Sequence, residues 1–97
     1  MAEKPNPAPW MPVPYDEATV MAIRSFASGT ANEGQQRAAY DWIVGIAAGV
    51  NEMTFHSGGL EGDRATAFAE GRRFVGNQIR KMLSADVLDR VKSKDHA

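Results

Sequence analysis

Between Asp63 and Leu83 the apolar residues Phe68, Val75, Ile79 and Met82 fall at offsets of 0, 7, 11 and 14. At 3.6 residues per turn these offsets return to one face, so the stretch reads as a single long helix. Phe74 and Leu83 widen the stripe, Gly71 lies on it, and Arg72-Arg73 follow directly. Asp63 is a good residue to open such a helix, because its carboxylate can accept the orphan amides of the first turn. Nothing in this segment, or elsewhere in the chain, has the make-up of an active site.

Two further helices are expected upstream. The first runs from about Asp16 to Ala27, with Val20, Ile23 and Ala27 at helical spacing and Phe26 beside them. Acidic residues suit its start, and Ser28-Gly29 ends it. The second opens at Thr30-Ala31-Asn32-Glu33, which fits the reciprocal Thr/Glu capping box. Ala39, Ile43, Ile46 and Val50 then follow at spacings of four, three and four, widened by Trp42 and Ala47. Gly45 and Gly49 within this helix each cost about 1 kcal/mol relative to alanine. They imply either a close backbone approach by another helix or a frayed last turn.

The connection from Asn51 to Gly62 is long for a small domain and is a candidate contact surface. Its Met53 and Phe55 are expected to be pinned to the core, with the glycine-rich part exposed. After Leu83, Ser84 can cap a short fourth helix bearing Val87, Leu88 and Val91, which dissolves into the polar end. No alternating strand pattern and no repeat occurs. The expected fold is all-α: a small bundle of three main helices plus a short C-terminal helix, with an extended Pro-rich N-terminal arm. The expected divisions are an arm over 1–14, a helical domain over 15–91 and a polar tail over 92–97.

All five prolines lie in that arm, which excludes a helix there and favours extended or polyproline II geometry. Trp10, Met11 and Val13 also lie there. Either the arm is a disordered leader, or it docks Trp10 into a groove on its own body or a neighbouring subunit.

The 97 residues suffice for one modest core, near the size at which oligomerisation or a partner often lends support. Eleven basic and twelve acidic side chains leave a net charge of -1, against the basic excess usual in nucleic-acid binders. Absence of cysteine removes disulfides and thiolate metal sites. No secretion signal and no apolar run of the ~20 residues that span a bilayer is present, so a soluble chain kept in a cytoplasm is expected.

Catalysis finds no foothold. His56 sits on a glycine loop and His96 at the terminus, with no partner at metal-ligand spacing. The carboxylate pairs Asp16/Glu17 and Glu61/Asp63 are accounted for as helix starts. Gly58-Gly59-Leu60-Glu61-Gly62 could present amides to an anion, but Glu61 and Asp63 would repel it. No catalytic, cofactor or metal residue is expected. Arg72, Arg73 and Arg80, with Arg64 and Lys81, make the long helix the most basic part of the chain. Three readings stand: a solvated or internally paired face with Glu70 as partner of Arg73, a protein interface, or phosphate contacts. Gly71 would admit a second helix, its arginine neighbours flanking the crossing with ion pairs, so Gly71→Leu should disrupt packing.

Phe26, Gly34-Gln35, Phe55 and the run Thr66-Ala-Phe-Ala-Glu-Gly-Arg-Arg-Phe-Val75 give the chain a further character. From Phe26 through Leu83 it resembles a family of short tailed-bacteriophage proteins, typified by one encoded in the head-gene cluster of a Bordetella podophage. The resemblance implies a small helical protein of virions or virion assembly, without known enzymatic activity and without catalytic residues to carry over. The arm and the segment after Leu83 fall outside it. The expected partners are other virion or assembly proteins and further copies of the chain, in the virion or the host cytoplasm and not in a membrane. Trp10, Met11, Val13, Arg72, Arg73 and Arg80 are the expected contact residues. A helical DNA-binding packaging or regulatory factor and an adaptor that inhibits a host protein are the alternatives.

Overall fold

A computed structural model describes residues 8–95 of the chain. The described residues contain four α-helices and no strand, the all-α class expected. The first half of the proline-rich arm, residues 1–7, and His96 lie outside the described residues.

Helix α1 (Glu17–Ser28) begins where Asp16 accepts the Thr19 amide at 2.8 Å and ends at Gly29, whose φ is 76°. Helix α2 (Glu33–Asp41) is capped two residues later than the Thr30/Glu33 box anticipated. The box is made by Asn32 and Gln35: Gln35 N–H donates to Asn32 Oδ1 at 2.8 Å, and Asn32 N–H to Gln35 Oε1 at 3.0 Å. Thr30 serves the end of α1 instead, its N–H donating to the Ser25 carbonyl at 2.9 Å. Glu33 is left to pair on the surface with Arg37, at 3.7 Å.

After Asp41 the helix changes pitch. Residues Trp42–Ala47 form a π-helical segment, with Ala48 N–H donating five residues back to Ile43 at 2.8 Å. The wider turn moves the buried positions off the expected four-three-four stripe. Ala39, Val44 and Ala48 point inward, followed by Val50, while Ile46 is turned outward. Gly45 has no neighbour that a side chain would meet, whereas Gly49, at φ 64°, turns the chain out of the helix. Of the two expectations for these glycines, the terminal turn is the one observed.

Helix α3 (Gly59–Lys81) starts four residues before Asp63. Its first turn reaches back over the loop because Gly62 has no side chain: a Cβ there would lie 2.6 Å from Ser57 O. The loop is correspondingly shorter, and Met53 and Phe55 are exposed, not pinned to the core. Polar bonds hold it instead. His56 N–H donates to Thr66 Oγ1 at 2.8 Å, and Thr54 Oγ1 donates to Glu70.

The face that α3 buries is also not the one its large residues mark. Gly62, Ala65, Ala69 and Gly76 face the rest of the chain, while Phe68, Phe74, Val75 and Met82 are exposed. Gly76 is the point of closest approach, where a Cβ would lie 2.5 Å from Val50 Cγ1 and 2.6 Å from Ala48 Cβ. Gly71 meets nothing within 4 Å, which overturns its expected role in a helix crossing within the chain. A helix that presents glycine and alanine at its closest point can press its backbone onto the π segment, and a large side chain at that point would hold it off.

The resulting core is small: Val44, Ala48 and Val50, with Tyr40, Ile43 and Ile79 against them and no large side chain fully buried. Packing runs as a chain of neighbours, α1 on α2 and the π segment on α3. Helix α4 (Ala85–Asp95) follows a turn at Met82–Ser84, keeps its helical form through Lys92–Lys94 and packs extensively on none of the others. The radius of gyration is 17.0 Å, against about 13 Å for a compact domain of this length.

Candidate interaction surface

A helix that ends in a wide turn leaves carbonyls without partners, and these must be satisfied from outside it. The arginines of α3 do this. Arg72 Nε donates to Ala47 O at 2.9 Å and Nη2 to Ile46 O at 3.3 Å, while Nη1 crosses to Pro9 O at 2.9 Å. Arg73 Nε donates to Val50 O at 3.2 Å. The planar fork of arginine suits this work, because several donors diverge from one rigid group. Arg80, about two turns further along, donates to Asn51 Oδ1 at 3.3 Å and to Asn77 Oδ1 at 3.0 Å. The expected Glu70–Arg73 pair does not form, since Glu70 is taken by Thr54 and Arg73 by the Val50 carbonyl.

These bonds give the run from Thr66 to Arg73 a common purpose. Thr66, Glu70, Arg72 and Arg73 each grip a different point of the segment between Ile46 and His56. The distinctive motif is a polar clamp that ties the π segment and its loop to α3.

The same clamp holds the described part of the arm. Pro9, whose carbonyl Arg72 takes, is buried. Residues 8–11 make a turn, with Met11 N–H donating to Ala8 O at 3.0 Å. Trp10 lies edge-on to Phe68 at 6.0 Å, with half of its surface still exposed (49%). Further on, Trp42 Nε1 donates to Pro14 O at 3.0 Å and Tyr15 stands edge-on to Trp42 at 6.5 Å. An open cleft of about 490 Å³ separates the arm from the body, lined among others by Met11, Val13, Ile46, Met53 and Arg72. Trp10, Met11, Val13 and Arg72 are thus neighbours, whereas Arg73 and Arg80 attach to the next stretch, Val50-Asn51.

The exposed large residues form the rest of the surface. Phe68, Phe74 (62% exposed), Val75 and Met82 on α3 continue into Leu83 and, on α4, Leu88 and Val91. Sequence reasoning missed Gly76, Thr54 and Thr66 as structural residues. The signal was present in the small residues Gly62, Ala65, Ala69 and Gly76 at spacings of three, four and seven.

Among the described residues, no three His, Cys, Asp or Glu side chains converge as metal ligands would, and no helix is long and apolar enough to cross a membrane. Asp16 is the group with a resolved change in acidity: the Thr19 amide, then the Thr19 hydroxyl, hold its carboxyl below the ordinary value of 3.8. No family model, curated protein or solved structure matches the chain.

Proposed function

We propose that the chain is a non-enzymatic bacteriophage structural or assembly protein, acting through protein–protein contacts in several symmetric copies. The phage setting draws its support from the resemblance between Phe26 and Leu83. The mode of action draws its support from the surface. Phe68, Phe74, Val75, Met82 and Leu83 lie exposed along one helix, and large apolar residues grouped in this way stay in water unless another protein covers them.

Contact then falls to Trp10, Met11 and Val13 and to the outer side of α3. Arg72 and Arg73 act beneath that surface by holding the arm and the loop in position, and Arg80 bonds to Asn51 and Asn77 on the side of α3 away from it. The phosphate reading loses Arg72 and the Nε of Arg73 to carbonyls within the chain, which leaves it Arg80 and Lys81. The setting is the virion or the cytoplasm of the infected host.

Light scattering of the purified protein tests the multi-copy reading, with a defined oligomer expected; a monomer at every concentration overturns it. Mass spectrometry of purified particles tests the phage setting. Stoichiometric amounts support a structural component, trace amounts accompanied by failed assembly support an assembly factor, and neither result with normal particles discards the proposal.

A further inference from the structure

The outer side of α3 has an internal symmetry that points to one occupant. Leu60 and Met82 lie eleven residues to either side of Gly71, and Phe68 and Phe74 lie three to either side. All four large residues are exposed, and at 100° per residue they fall with Gly71 and Val75 on one band about a third of the helix wide. That band lies across the helix from the Gly62/Ala65/Ala69/Gly76 side, which the chain's own π segment covers. Reversing the helix end for end about Gly71 therefore brings large apolar residues to the levels of large apolar residues. A two-fold axis does this, and an isologous contact requires it.

One pair of charges fits the same symmetry, while Arg64, ion-paired with Glu61, lies within the band at the level of Gln78 of the other copy. Asp63 and Lys81 are eighteen residues apart, five full turns, so they stand on the same edge of the band. When two such helices run antiparallel about Gly71, Asp63 of each copy comes within ~3 Å in level of Lys81 of the other. A parallel pairing would instead leave Asp63 and Lys81 of the two copies on opposite edges of the contact, unable to pair, and would align the helix dipoles unfavourably. At the crossing itself Gly71 has nothing within 4 Å, so a second backbone can approach there as the first approaches at Gly76.

From this we infer that two copies of the chain pair through antiparallel α3 helices crossing at Gly71. The pairing rests on the multi-copy reading above and names the surface that builds it. Because Trp10 stands against Phe68, the pairing borders the arm, and the cleft behind the arm stays open.

Sedimentation of the full chain from micromolar to millimolar concentration tests the pairing. The wild-type chain is expected to dimerise. Gly71→Leu and Phe74→Glu should each raise the dimer dissociation constant by ~1000-fold, since each change acts twice at a two-fold contact. Helix content by circular dichroism should hold in both, because both positions are open in the monomer. Asp63→Lys and Lys81→Asp should each weaken the dimer, and the two together should restore it. With no cysteine in the native chain, Gly71→Cys should give a disulfide-linked dimer on mild oxidation, while Arg37→Cys on the far side of α2 should not. A wild-type monomer throughout overturns both the pairing and the multi-copy reading. An oligomer indifferent to Gly71→Leu and Phe74→Glu overturns the pairing alone. A charge-reversed double variant as weak as the single ones overturns the antiparallel register.

Discussion

Gly71 and Gly76 lie five residues apart on one helix and face opposite fates. A side chain added at Gly76 would run into Val50 and Ala48, while one added at Gly71 would meet open space. The two sides of α3 differ in the same sense. The inner side is buried at glycine and alanine, flanked by Ile79 and by the polar clamp. The outer side carries phenylalanine, valine and methionine, and it is exposed. Burial here follows closeness of approach more than hydrophobicity. A backbone whose carbonyls must come within reach of the Arg72 and Arg73 donors has no room for large residues between. The large residues are left for a surface that the chain does not cover by itself.

The sharpest way to break this contrast is Gly76→Leu. Its side chain has no free direction, and overpacking of this kind costs about 3 kcal/mol or more. A fall in Tm of ~10–20 °C is expected, scaled by the ~4–8 °C that 1 kcal/mol shifts a domain of this size. A Tm within a degree or two of wild type would show that the inner side is loosely packed after all.

Next in size is Arg72→Ala, which strips three carbonyls of their donor at once. Hydrogen bonds to a charged group contribute about 1.5–3 kcal/mol each when well buried, and these are only partly so, giving ~2 kcal/mol in sum. Arg80→Ala is the control, expected to cost less than ~0.5 kcal/mol because its amide partners are in water. Urea unfolding of the pair measures the gap, and equal losses would refute the clamp.

At concentrations where the chain is monomeric, Gly71→Leu should leave stability unchanged or raise it, by up to ~0.8 kcal/mol from helix propensity alone. The sign is opposite to that expected at Gly76. Loss of stability there would return Gly71 to the role that its place on the apolar stripe first assigned.

The smallest effect concerns the start of α1. The Asp16 carboxyl is held below its ordinary value of 3.8 by the Thr19 amide. The unfolded chain therefore takes up this proton more readily, and protonation favours unfolding. The cap's contribution is fully present above about pH 3.8 and is lost as pH falls through the lower folded value. Asp16→Asn keeps an accepting oxygen and should remove this acid step from the helicity of α1, followed by circular dichroism. A step of the same size in Asp16→Asn would assign it to another carboxylate.

Much of the local structure was legible because it is set by short-range chemistry. Asp16 and Gly29 bound α1 as their types require, and α3 and α4 exist where spacing placed them, although α3 opens at Gly59 and α4 runs on to Asp95. The second cap was misplaced by two residues because two good caps overlap, and only the end of α1 decides which threonine or asparagine is free. The candidate site was legible in part. Trp10, Met11, Val13 and Arg72 do come together, but Arg72 and Arg73 point inward to carbonyls that no residue pattern reveals as orphaned. Phe55 and Met53 were misread because hydrophobic character alone does not say which side of a polar clamp a loop side chain will face.

By itself, then, the amino-acid sequence determined an all-helical chain, both ends of α1 and the start of α4. Those are properties of neighbours within a few turns, where backbone sterics and capping dominate. Tertiary structure alone decided the π-helical register, the use of the arginines as caps for another helix, and which face of α3 turns inward. Each depends on how closely two backbones approach across a long stretch of chain, and that distance is set at Gly76 and Gly62 by what is missing from the side chain.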